Sequence, residues 1–255
     1  MDHHVRINFV SSAAVIASAV VLSVVASTAV ASRAYVKRGE VAAEGAKQIS
    51  VKGYARTRVI SDLAQWSITV KGRGQTLEQA YAELEAGVDR VTDFLTASGF
   101  DRDDLARSAI ETSTRYQRDA KGNTTNDVAG YTLTRTIGVT TRDVNRIAEA
   151  AGEVTALLRE GITVISGRPA YYFTGIEPLK IRLAGEASAN GRERAEAIAA
   201  ETGSRVASVS HARMGVIQIT EPDSTEVSSY GIYDTDTIQK DVAIVVTLTL
   251  ELDEQ

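Results

Sequence analysis

The chain of 255 residues contains no cysteine. That excludes a disulfide framework, thiolate metal sites and a cysteine nucleophile, and it leaves the compartment open. Histidine is nearly as scarce: His3 and His4 stand in a short tail and His211 is isolated. A metal site needs several ligands with supporting bonds, so no metal or other cofactor is expected. No long basic run occurs and the net charge is −5, which argues against nucleic acid as a partner. Also missing are a G-x-S-x-G elbow, a phosphate loop ending in Gly-Lys-Ser/Thr and an H-E-x-x-H zinc helix. Lys71-Gly72-Arg73-Gly74 superficially invites a dinucleotide reading, but Leu77 stands where the fingerprint needs glycine, so a strand-to-helix turn is expected. The acidic cluster Asp101, Asp103 and Asp104 lacks calcium-loop spacing. The expectation is a protein that is not an enzyme, with no catalytic residues to name.

What is present begins with charge silence. Between Arg6 and Arg33 no side chain is charged, and Val, Ala, Ile and Ser dominate. Such a run can cross a hydrocarbon core of about 30 Å as a helix. Residues 1–32 therefore read as a transmembrane anchor, with residues 7–32 in the membrane. The alternative is a signal segment cleaved after Ala29-Val30-Ala31. Arg33, Lys37 and Arg38 after the run outnumber Arg6 before it, so the positive-inside rule alone would hold the domain in the cytoplasm. Small residues such as Ala13, Ala17, Ser18 and Ala26 let helices approach closely in lipid, which makes Ala17 a candidate contact between copies.

Residues 33–48 read as a linker. Beyond them Trp66, Ile68 and Val70 alternate with polar residues, as in a strand with one buried face. Thr76 and Gln79 form a capping-box pattern for a helix with Leu77, Ala80, Tyr81, Leu84, Val88, Val91 and Leu95 as its stripe, stopped at Gly99. An extended stretch over 108–117, a turn at Lys121-Gly122-Asn123 and a long alternating run predict a hairpin, with Arg135 near an edge. Asp143 is expected to cap a second helix carrying Ile147, Ala151, Val154 and Leu158 to Gly161. A strand over 162–173 follows. A third helix from near Pro178 carries a small-sided stripe of Ala184, Ala187, Gly191, Ala195, Ile198 and Thr202. Strands near 205–219 and from Val242 to Leu252 complete the chain. The layout is α+β: two related halves of largely antiparallel sheet packed with long helices, roughly 49–160 and 161–255, after one N-terminal hydrophobic helix.

The segment from Glu221 to Lys240 is too long for a hairpin turn and mixes polar residues with Tyr230, Ile232 and Tyr233. Tyrosine offers apolar area and a hydroxyl, which suits an interface between copies. A plain mobile loop is the other reading.

Several short motifs, in order, are similar to the SIMPL family of bacterial envelope proteins. Ile49-Ser50-Val51-Lys52-Gly53-Tyr54-Ala55 resembles its opening I-x-V-x-G-x-G strand, and Asp62-Leu63-Ala64 its P-D-x-A corner. Thr76 to Ala80, Ser98-Gly99-Phe100, Asp104-Leu105 and Gly130-Tyr131 resemble later landmarks. Ala187 and the run Arg192 to Gly203 resemble the family's long helix. Ser61 replaces a usual proline, Ala55 a usual glycine, and Ser113 to Tyr116 lacks a proline. The resemblance covers about 49–252. It implies a periplasmic location, no assigned enzymatic activity, a link to envelope or oxidative stress tolerance, and assembly into large homo-oligomers. The function expected is therefore a membrane-anchored, self-assembling envelope scaffold whose partner is itself. The alternative is a periplasmic binding module for a hydrophobic or envelope-derived ligand held between the halves.

Overall fold

The computed structural model describes residues 27–28, 30–36 and 47–254. Most of the apolar leader, including Ala17, and linker residues 37–46 lie outside them. Among the described residues no helix is long and apolar enough to cross a membrane.

In chain order the elements are β1 (Gln48–Ile60), β2 (Leu63–Gly74), α1 (Leu77–Ala97), β3 (Leu105–Arg107), β4 (Glu111–Arg118), β5 (Thr124–Thr141), α2 (Val144–Glu153), β6 (Thr163–Ser166), β7 (Ala170–Tyr172), α3 (Ile176–Glu201), β8 (Ser204–Met214), β9 (Gln218–Thr220), β10 (Ile232–Tyr233) and β11 (Gln239–Glu254). They build two sheets with helices, an α+β arrangement whose strand pairs are mostly antiparallel. One sheet runs β3-β5-β2-β6, with β4 also on β5 and β7 also on β2. The other runs β1-β11-β9-β10, with β8 also on β11. Contacts divide the chain into two compact units. The larger takes Gly53–Asn190 and Met214–Val246; the smaller takes Gly191–Arg213, Thr247–Gln255 and the chain up to Lys52.

The core of the larger unit sits between α1 and the β2–β5 pair. Trp66, Ile68 and Val70 of β2 and Ile137 and Val139 of β5 are buried, and Ile68 pairs with Ile137. Against them α1 buries Ala80, Leu84, Val88, Val91 and Leu95. The capping box at Thr76 and Gln79 forms, and Gly99 takes a left-handed φ of 86° just past the helix. Leu77 and Tyr81 stay half-exposed, correcting the expected stripe. They lie in the first turns of the helix, whereas Ala80 and Leu84 face Gly72 of β2. Gly72 and Gly74 let the helix backbone settle on β2: a Cβ on Gly72 would stand 2.3 Å from Ala80 O and Leu84 N. The close pair of glycines thus serves packing.

Other departures have local causes. Arg135 is at no edge. It sits in β5, with β2 on one side and β3 and β4 on the other, opposite Val70, and its Nη1 donates to Glu85 Oε1 at 2.8 Å. A charge is tolerated there because α1 supplies the acid over the sheet. The second helix, capped by Asp143 as expected, tightens into a 3-10 turn over Val154–Glu160. The tighter winding shifts the phase, so Leu157 is buried and Leu158 exposed. The strand expected over 162–173 breaks into β6 and β7 where Gly167 N–H donates to Ser67 O. Likewise the strand expected near 205–219 breaks into β8 and β9, with Gly215 N–H donating to Val245 O. The third helix starts at Ile176 and buries every fourth residue, Leu179, Leu183, Ala187, Gly191, Ala195 and Ala199, leaving Ile198 exposed.

Candidate functional site

The sequence pattern of β1 places Tyr54, Arg56, Arg58 and Ile60 on one face, opposite buried Val51, Gly53 and Ala55. On β11, Val242, Ile244 and Val246 are buried on one side, so Asp241, Ala243 and Val245 belong to the other. The chain from Glu221 to Gly231 lies beside these residues.

That segment is tied down at several points. Arg58 Nε donates to Asp241 Oδ1 at 2.8 Å, and its Nη2 donates to Asp241 Oδ2 at 3.1 Å and to Asp223 Oδ1 at 2.7 Å. Asp223 adopts a left-handed φ of 63°, which turns its N–H onto Asp241 Oδ2 at 2.8 Å. Asp241 is 2% exposed. The Arg58 guanidinium holds its carboxyl at about 2 against the burial that would raise it, helped by the Asp223 N–H and the charge of Arg56. Farther along, the Gln218 amide brackets Ser228, donating to its carbonyl at 2.8 Å and accepting its N–H at 3.3 Å. β10 then pairs in parallel with β9, Ile232 opposite Gln218. Beyond it, Asp234 N–H donates to Ile219 O, and Thr235 O accepts from Tyr171 N–H. Lys240, 0% exposed, places its ammonium 2.9 Å from Asp234 Oδ2, which also accepts from the Thr237 hydroxyl. Burial alone would raise Asp234, but hydrogen bonds from Thr237, the Asp236 N–H and Lys240 keep it below the ordinary value.

Between the ties, apolar side chains stand out. Val227 is 83% and Tyr230 96% exposed, and Met214, Val216 and Tyr54 are about half-exposed. A cleft of about 350 Å³ opens under the segment, lined by Ala243 and Val245, by Gln218 and Thr220, and by Tyr54, Arg56, Glu226 and Val227. A second hollow of about 470 Å³, lined by Lys180, Met214 and Tyr230, shares Gly215, Val216 and Ile244 with the first. Of the residues the sequence singled out, Tyr230 is the one fully presented. Ile232 is half-buried in β10, and the Tyr233 ring lies 6.4 Å from that of Tyr172. Ala17 lies outside the described residues. Arg56, Arg58, Asp223 and Asp241 escaped the sequence reading, although two arginines spaced by two on a strand do mark an exposed face.

Other chemistry is sparse. Among the described residues no group of three or more His, Asp or Glu is arranged to hold a metal ion. His211 is exposed on β8. Asp103 and Asp104 form a 3-10 turn with Arg102, which pairs with Asp93 at 2.7 Å.

The family model described as "SIMPL: Protein of unknown function (DUF541)" matches residues 49–249. No curated protein matches the sequence. Among solved structures, the ligand-free regulatory subunit of aspartate kinase from Thermus thermophilus is 16% identical, with 76% of this chain and 87% of that chain covered. The TM-score is 0.17, a superposition too loose to imply a common fold.

Proposed function

The chain belongs to the SIMPL family, and we propose that it works as a self-assembling scaffold of the bacterial envelope and not as an enzyme. The observation that carries this reading is the presentation of Tyr230 and Val227 on a segment pinned by Arg58, Asp241 and Gln218. Exposed apolar patches of this kind mark interaction sites. A surface already ordered before contact loses little further freedom on association, so more of the gain from burying a tyrosine is kept. Tyrosine is also enriched among the residues that dominate interfaces.

The rest of the reading rests on the sequence. The uncharged run over residues 7–32 would tether the domain to the inner membrane with the soluble part in the periplasm, and its small residues would favour contact between leader helices. In this reading such an assembly would serve tolerance of envelope or oxidative stress, a role suggested by the family resemblance alone.

Light scattering coupled to size exclusion on detergent-extracted full-length protein is the test. A large homo-oligomer is expected, and Tyr230→Ser with Val227→Ser should weaken its association at least about 30-fold, as loss of an interface hot spot does. A clean monomer of the wild type at micromolar concentration would overturn the proposal.

A further inference from the structure

β4 is an outer strand of its sheet. One edge pairs with β5, and among the described residues no strand pairs with the other. All of its eight residues except Thr114 are exposed, so both faces of the strand are open as well. Such an edge presents a row of unpaired N–H and C=O groups, which proteins usually blunt with proline, lysine or a covering element. β4 contains neither proline nor lysine. The irregularities of the hairpin lie beyond Arg115, so Glu111–Arg115 is a regular stretch, opposite Thr134 to Gly130 of β5. Glu111 and Arg115 are the charged residues of that stretch, and their spacing puts them on one face. Neither makes an ion pair or a side-chain hydrogen bond among the described residues.

We propose that β4 pairs antiparallel with β4 of a second copy, in the register centred on Ser113. This rests on the self-assembly reading but uses other residues than Tyr230 and Val227. In an antiparallel pair, two opposed residues point their N–H and C=O groups in the same sense, and that sense alternates along each strand. A two-fold axis between identical strands therefore passes through a residue and not between two. Centred on Ser113, the pairing sets Glu111 of each copy opposite Arg115 of the other, and Thr112 opposite Thr114. The half-exposed Tyr116 falls opposite the second copy's Ile110. Centring on Thr114 would set Arg115 against Ser113, and centring on Arg115 would bring two arginines together. Opposite charges facing each other across strands attract and like charges repel, so the Ser113 register is the one the charges select. Main-chain hydrogen bonds then join the two sheets edge to edge, as in strand addition.

The test uses the absence of cysteine: Ser113→Cys gives the full-length, detergent-extracted protein a single thiol, at the axis. Opposed Cβ atoms there stand about 4.5–5.5 Å apart, close to disulfide reach. Mild oxidation is expected to give a covalent dimer, at least about tenfold more than Asn126→Cys, an exposed position of β5, gives. In the Ser113→Cys background, Glu111→Arg or Arg115→Glu alone opposes like charges at both ends. Each should lower the dimer yield at least about tenfold without shifting the melting temperature, because both side chains are exposed. Mixing the two single variants opposes unlike charges again and should restore the yield, as should both changes in one chain. The Ser113→Cys and Asn126→Cys comparison stands by itself if a charge variant does not fold. Light scattering on the same samples separates this proposal from the scaffold reading. A wild type that assembles would leave that reading standing, while the edge pairing would be overturned by a Ser113→Cys yield no higher than that of Asn126→Cys, by folded single charge variants that cross-link like their parent, or by a mixture that fails to recover. A monomeric wild type would overturn both.

Discussion

Arg58 and Asp241, 183 residues apart in sequence, meet through two hydrogen bonds of 2.8 and 3.1 Å, and the pair holds the start of the Glu221–Gly231 segment. The same carboxylate receives the Asp223 N–H, so one buried acid fixes β1, β11 and the segment together.

Replacing Asp241 by Ala should therefore cost more than an ordinary surface change. Hydrogen bonds to a charged group contribute about 1.5–3 kcal/mol, and the variant strands the Asp223 N–H as well. For a chain of this size each kcal/mol moves the melting temperature by about 2–4 °C, so a fall of roughly 4–8 °C is expected by calorimetry. Proteolysis should become faster at Glu221–Gly231 before the rest of the domain.

Acid should remove this contribution in a defined window. Asp241 is held at about 2 in the fold against an ordinary 3.8, so the folded state binds its proton more weakly than the unfolded chain does. The stabilisation is fully present above 3.8 and is lost as pH falls through about 2. The stability gap between wild type and Asp241→Asn, followed by denaturant unfolding, should be constant near neutrality and narrow as pH drops below 3.8. A gap unchanged down to pH 2 would contradict the role given to Arg58.

What could be read in the sequence was what depends on near neighbours. Thr76 caps with Gln79 three residues away, Gly99 stops α1, and the 119–123 turn is closed by Asp119 accepting from Lys121 and Asn123. Such signals are complete within one turn of chain. Arg135 was misplaced because the acid that accommodates it, Glu85, lies on α1, 50 residues earlier. Leu157 and Leu158 were exchanged because α-helical spacing was carried through a segment that winds as a 3-10 turn. The candidate site shows the same division. Tyr230 is visible as a tyrosine in a polar run, whereas the Arg58–Asp241 tie exists only once β1 pairs with β11.

Gly72 offers a test of the close packing of α1 on β2. A methyl group there would meet Ala80 O and Leu84 N at 2.3 Å, and both are backbone atoms of α1 that no rotamer change can move. The helix must lift from β2 and uncover Val88, Val91 and Leu95. Gly72→Ala should destabilise the domain by about 3 kcal/mol, the upper range for overpacking. Gly152→Ala is the control: a Cβ there meets nothing within 4 Å, and near the end of α2 alanine is favoured by up to about 1 kcal/mol.

The Lys240–Asp234 pair predicts an asymmetry between its two partners. Lys240 is fully buried, while the Asp234 side chain keeps some exposure and has Thr237 and the Asp236 N–H besides the ammonium. Removing the acid leaves a cation with no water and no counter-charge, a change that costs about 3–5 kcal/mol for buried pairs. Removing the cation leaves an acid that still has two donors, and methionine refills the volume. Asp234→Ala should thus unfold at markedly lower denaturant concentration than Lys240→Met, which should stay within about 1.5 kcal/mol of wild type. Adding Lys240→Met to Asp234→Ala should recover much of the loss, since no buried charge then remains. Equal losses from the two single variants would mean that the ammonium reaches solvent, and the tie between β11 and the Asp234 turn would need another source.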